Sequence, residues 1–253
     1  MENNYFHKPR VQLFDSLEDI SAAALTIFVD SANRAIKDNG IFTVAISGGK
    51  TPSGFFRLLA QAPAAKQLQW DKIHLFWVDE RCVPPNDPEN NYRLAHELFI
   101  SGSPIPTANV HRVNSELQDS DLAAQQYSRS ILDAFDIDNT DIPVFDLIAL
   151  GMGSDAHIAS LFPHSQALLE SRKIAVAVFP DDGKLNRITL TKPVITAARQ
   201  IMILISGPDK AQILNHILNS HLDDIKFPVH ILWPVLDRVT WLIDNDAARL
   251  ITP

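Results

Sequence analysis

Two short segments of this chain carry residue types that could hold an anion and move a proton. The first is Ser47-Gly48-Gly49-Lys50-Thr51-Pro52, directly after the apolar run at residues 41–46. Adjacent glycines expose backbone N–H groups, and a helix beginning at Pro52 would add its partial positive end. Ser47 and Thr51 offer hydroxyl donors and Lys50 a full charge, so the segment suits a phosphate. The same sequence would also serve a strand-to-helix bend that needs glycine only for positive φ. The second segment is Gly151-Met152-Gly153-Ser154-Asp155-Ala156-His157, after the apolar run at 145–150, and it presents an imidazole, the side chain suited to proton transfer near neutral pH. Only nine glycines occur in 253 residues, so their pairing at these two turns is informative. Neither the P-loop spacing nor Gly-x-Gly-x-x-Gly is present.

Both turns require strands to end and helices to begin where they stand. Apolar residues at helical spacing predict a helix over 17–36, stopped by Asn39-Gly40. Strands are predicted at 41–46, 73–78, 145–150, 174–179, 187–190, 201–206 and 239–243. Further helices are predicted from Pro52 through Leu59, over 121–135 and over 208–219. Strands alternating with helices imply an α/β fold: a three-layer α/β/α sandwich around a mainly parallel, Rossmann-like sheet. No repeat or linker divides residues 1–253, so one domain is expected.

A hydrophobic content of 46% fits a soluble globular protein, and a net charge of -8 argues against nucleic acid or anionic membrane as partner. The lone Cys82 excludes an internal disulfide and offers no metal-ligand pair. No apolar stretch of signal-peptide length occupies residues 1–12, and none has membrane-spanning length. The expectation is a cytoplasmic monomer without metal or cofactor. Eight histidines besides His157 are read as surface or structural residues, and Cys82 as a packing residue.

The second segment continues through His157-Ile158-Ala159-Ser160-Leu161-Phe162-Pro163. Taken with Ser47 to Pro52 and Asp79-Glu80-Arg81-Cys82-Val83-Pro84, it resembles the 6-phosphogluconolactonase family, which is grouped with glucosamine-6-phosphate deaminases. Asn90-Asn91, the run from Asn186 to Thr191, Gly207-Pro208-Asp209-Lys210 and the run from Thr240 to Asp244 extend the resemblance over nearly the whole chain. Ser160-Leu161-Phe162-Pro163 is similar to the lactonases, where the deaminases run toward Phe-Asn-Glu-Pro. Arg81 stands where the deaminases carry tyrosine. One departure is Ala156, at a position where the family usually has glycine before the histidine; if that position needs positive φ, alanine strains it by roughly 1 kcal/mol or more.

The resemblance implies hydrolysis of a phosphosugar lactone, with His157 activating water and Asp155 orienting the imidazole or maintaining the turn. Backbone N–H groups of the Gly151 and Gly153 turn, or an arginine, would stabilise the oxyanion. The phosphate would lie on Ser47, Gly48, Gly49, Lys50 and Thr51. Asp79, Arg81, Arg187 and Lys210 lie in family-like segments, and the three cations would meet phosphate or carboxylate. Two other readings stay open: a glucosamine-6-phosphate deaminase, which Ser160 to Pro163 argue against, and a sugar-phosphate-binding protein without turnover, which only Ala156 favours.

Overall fold

The computed structural model describes residues 9–63, 65–180 and 183–251. Most of the polar N-terminal stretch, with His7, lies outside the described residues. In chain order the strands are β1 (Arg10–Phe14), β2 (Phe42–Ile46), β3 (Ile73–Trp77), β4 (Asp79–Arg81), β5 (Val110–His111), β6 (Leu147–Gly151), β7 (Ala175–Val178), β8 (Arg187–Leu190), β9 (Ile201–Ile205) and β10 (Val239–Asp244). The helices are α1 (Leu17–Asn39), α2 (Ser53–Gln61), α3 (Asn91–Leu98), α4 (Ser120–Phe135), α5 (Lys192–Ala197), α6 (Ala211–Asn219) and α7 (Asn245–Ala248).

Local chemistry sets the ends of the long first helix. The Ser16 hydroxyl accepts from the Asp19 N–H to start α1, and Gly40 at φ 85° ends it with its N–H on the Ile36 carbonyl. The buried stripe of α1 includes Ile20, Ala24, Phe28, Ala32 and Ile36, as the periodicity predicts.

Among the described residues, seven strands form a parallel sheet in the order β1-β10-β9-β6-β2-β3-β5. Its central strands alternate between two cores. Phe42, Val44 and Ile46 of β2 join Met202 and Leu204 of β9 in the layer holding α1 and α2. Ala45 of β2 and Ile201, Ile203 and Ile205 of β9 face the other layer, which holds α4 and α6. That period of two places apolar side chains on both faces, the condition for a sheet covered on both sides. The predicted α/β/α layering is what the chain adopts.

The structure corrects the sequence reading in one respect. β7 and β8 do not enter the parallel sheet; they pair antiparallel with each other and with β4, in the order β4-β8-β7. Only eight residues separate β7 from β8, too few for a parallel crossover. β4 continues almost directly from β3, and Val78 between them joins the two sheets. Its N–H donates to the Ile46 carbonyl at 3.0 Å and its carbonyl accepts from Leu190 N–H at 2.8 Å.

Candidate active site

Strand order dictates where a cleft can open. From β2 the chain steps to β3 on one side, whereas the next strand of this sheet after β6 is β9, on the other side. β2 and β6 are neighbours, so the loops leaving their carboxyl ends diverge and leave a crevice between them. Those loops are the two glycine turns. They line a cleft of about 450 Å³ together with Asp79, Arg81, Asn91, Arg187, Asp209 and Lys210. Four cationic side chains and two carboxylates face it, in a chain whose net charge is -8. The local balance favours an anion.

The first turn presents its backbone to the cleft. Gly49 has φ 104°, and a Cβ there would meet nothing within 4 Å, so conformation alone selects glycine. At Gly48 the reason is space, since a Cβ would fall on the side chain of Asn91, 1.9 Å from its Oδ1. Pro52 precedes α2, and no side chain among the described residues caps that helix start. The Ser53 N–H bonds the Lys50 carbonyl at 3.3 Å, which leaves the next N–H groups, of Gly54 and Phe55, as the ones available to an anion. Lys50 and Thr51 line the same wall, while the Ser47 hydroxyl accepts from Gly151 N–H at 3.3 Å and ties the two turns together. On the next loop, Asp244 accepts from Ser206 Oγ and Gly207 N–H, which holds Lys210 at the cleft with its Nζ 3.1 Å from Asp209.

His157 and Asp155 form a dyad on the second turn. The Asp155 Oδ1 lies 2.5 Å from His157 Nδ1 and also accepts from the His157 N–H at 3.2 Å. Burial pushes the Asp155 carboxyl up, but the hydrogen bond and attraction of His157 outweigh it and hold the group at about 2. An ionised carboxylate only accepts, so the imidazole proton sits on Nδ1 and Nε2 is left to take another. Gly153 makes room for the ring: a Cβ there would lie 2.2 Å from the imidazole Cε1 and Nδ1. The N–H of Gly153 donates to the His157 carbonyl at 2.9 Å. The Gly151 and Gly153 amides are both engaged inside the protein, whereas two arginines of the cleft wall keep N–H groups with no partner among the described residues.

Two arginines supply that wall. Arg81 and Arg187 stand directly opposite each other in the β4–β8 pair, a like-charge register that is unfavourable without an anion. Their Nε atoms are buried with no hydrogen-bond partner among the described residues. Arg81 also bonds the Glu89 carbonyl and lies 3.6 Å from the Glu89 carboxylate, so it anchors its loop as well. Burial lowers the Arg187 pKa, Asp79 opposes that shift, and Arg81 adds to it. Asp79 is buried, accepts from Ser160 Oγ at 2.6 Å and lies 3.9 Å from Arg187 Nη1.

All the predicted site residues except Asp155 line the cleft, and Asp155 reaches it through His157. Asn91 was not among them. Its Nδ2 donates to the Asp79 carbonyl at 2.9 Å while its side chain packs against Gly48, linking both walls. Buried Glu80 fixes Asn91 by accepting from the N–H groups of Arg81, Asn91 and Tyr92 at 2.7–2.8 Å. Burial raises the Glu80 carboxyl to about 7 against those three donors. The available signal was Asn90, a favoured residue for a helix start, whose Oδ1 accepts from Arg93 N–H to cap α3. Among the described residues no group of three or more His, Cys, Asp or Glu could hold a metal ion.

Ala156 does occupy a left-handed conformation, φ 65°, with its methyl fully buried. Replacing it by glycine relieves about 1–2 kcal/mol of strain. Against this, glycine adds about 0.4–1 kcal/mol of unfolded-state entropy, and the lost methyl costs about 0.8 kcal/mol. The expected stability of A156G by urea denaturation is thus within about 1 kcal/mol of the parent. A gain well beyond that would mean that the buried methyl contributes nothing.

Known proteins match this arrangement along nearly the whole chain. Residues 15–241 match the family described as glucosamine-6-phosphate isomerases/6-phosphogluconolactonase. The 6-phosphogluconolactonase of Nostoc sp. is 35% identical over 240 residues, covering 95% of this chain and 97% of the relative. That of Synechocystis sp. is 34% identical over 245 residues, covering 97% and 99%. The solved structure of 6-phosphogluconolactonase from Trypanosoma cruzi superposes with a TM-score of 0.88 at 27% identity, covering 100% of each chain. With its fold, its two glycine turns and these relatives in agreement, the chain belongs to the glucosamine-6-phosphate isomerase/6-phosphogluconolactonase family.

Proposed function

We propose that this chain, as one cytoplasmic domain, hydrolyses 6-phospho-D-glucono-1,5-lactone to 6-phospho-D-gluconate, with His157 as general base. The observation carrying this reading is that neighbouring strands β2 and β6 aim an uncapped helix start and a free imidazole nitrogen into one cleft. The reducing cytoplasm suits a chain whose single cysteine forms no internal disulfide.

The phosphate rests on Gly48, Gly49 and Thr51 with Lys50 and Lys210 near it, which orients the lactone ring toward His157. Water attacks the lactone carbonyl carbon while Nε2 takes its proton. Asp155 holds Nδ1–H and stabilises the imidazolium that forms. The carbonyl electron pair moves onto oxygen, where the Arg187 guanidinium meets the developing charge. When the intermediate collapses, the bond from the carbonyl carbon to the ring oxygen breaks, and Nε2 returns the proton to that oxygen. The product is an open-chain acid.

The test is a rapid coupled assay on freshly generated lactone, with spontaneous opening subtracted. Turnover above background is expected, with no ammonia release from glucosamine 6-phosphate. The reverse pattern would make the chain a deaminase. Tight binding of 6-phosphogluconate with no turnover of either compound would make it a binding protein.

A further inference from the structure

The segment Ser160-Leu161-Phe162-Pro163 follows closely on His157 in the chain. In the structure it sits between the two groups that the reaction needs in register. The Phe162 ring centroid is 4.7 Å from that of His157, tilted by 51°. The Arg187 guanidinium carbon lies 5.5 Å from the same centroid. Two residues earlier, Ser160 holds Asp79 at 2.6 Å, the carboxylate on which Arg187 leans.

Arg187 has little else to locate it. Its 3.9 Å approach to Asp79 is too long for a hydrogen bond, and its Nε has no partner among the described residues. His157 is fixed by Asp155 at one ring nitrogen and by the room that Gly153 leaves, neither of which sets its distance from the guanidinium. The Phe162 ring lies against both. An aromatic face attracts cations, so it favours the guanidinium permanently and the imidazolium when it forms.

We propose that Phe162 is a positioning residue, its ring setting the spacing between the proton-accepting imidazole and the oxyanion-binding guanidinium. The catalytic part of this inference rests on the lactone-hydrolysis reading; the geometric part does not. An aliphatic side chain of similar bulk would fill the space without holding either charged group against a π-face, and a displacement on the order of 1 Å at such a site costs up to about 100-fold.

Three proteins decide it: the parent, F162L and F162Y, with F162M replacing F162L should the latter not fold. In F162L, kcat on the lactone is expected to fall about tenfold or more while KM changes by less than about threefold, because the phosphate wall is untouched. F162Y keeps the ring and is expected to stay within about threefold of the parent in kcat. A second readout needs no substrate. The downfield Nδ1–H proton resonance of His157, assigned by its loss in H157A, should persist in the parent and F162Y and broaden or shift in F162L. Parent-like kcat and resonance in F162L would overturn the proposal, as would equal losses in F162L and F162Y. If the parent itself fails to open the lactone, the functional reading falls, and the resonance alone decides whether Phe162 positions His157.

Discussion

The H157A variant is expected to lose about 10²- to 10⁴-fold in kcat on the lactone, the range typical of a positioned general base. Its KM should change far less, because the glycine cradle, Lys50 and Lys210, to which the proposed reaction assigns the phosphate, stand on other loops. The fold should survive. The His157 side chain is 28% exposed and leaves no sealed cavity when truncated, and Asp155 Oδ1 keeps its bond from the backbone N–H of residue 157. Residual turnover would come from substrate orientation and from Arg187, which the substitution leaves in place. Steady-state kinetics with a matched melting curve checks this. Parent-like kcat in a folded H157A would remove the imidazole from the mechanism altogether.

G153A should come next in size, although it adds a single methyl group. The new Cβ would stand 2.2 Å from two atoms of the imidazole and 2.7 Å from the Asp155 Oδ1. No real contact is that short, so either the backbone or the dyad must move, and the ring is the less constrained of the two. Rotating it away from the attacking water is expected to cost about 100-fold in kcat. Stability should drop less, by about 1–3 kcal/mol for overpacking. A variant with unchanged kcat would show that the catalytic group lies elsewhere in the cleft.

Much of this could be read in the residues before any coordinates. The strands at 41–46 and 201–206 and the helices at 17–36 and 121–135 announce themselves by period and by their stops, and each is present to within a few residues. The two turns were legible because glycine is scarce and both pairs follow apolar runs. What stayed hidden depends on tertiary context. β4 is Asp79-Glu80-Arg81, three charged residues that form a strand only because β8 lies beside them and the carboxylates are satisfied by Ser160 and by the start of α3. β1 was hidden because an edge strand with mostly exposed residues shows no apolar run. Asn91 was visible as a residue but not as a contact, since its partners Gly48 and Asp79 are distant in sequence. The positive φ at Ala156 was posed as a condition by comparison with the family, and only the backbone geometry could answer it.

The order of strands has a further bearing on biogenesis. β1 is the earliest described strand to leave the ribosome, yet its one neighbour in the sheet is β10, which is synthesised after all the others. The centre of the sheet can pair as β2, β3 and β6 emerge, while β1 must wait for some 230 more residues to appear. Its side chains suit that delay. Arg10 and Gln12 are exposed in the finished molecule and put a charge and an amide among the apolar residues of the waiting segment, which works against its pairing with other nascent chains.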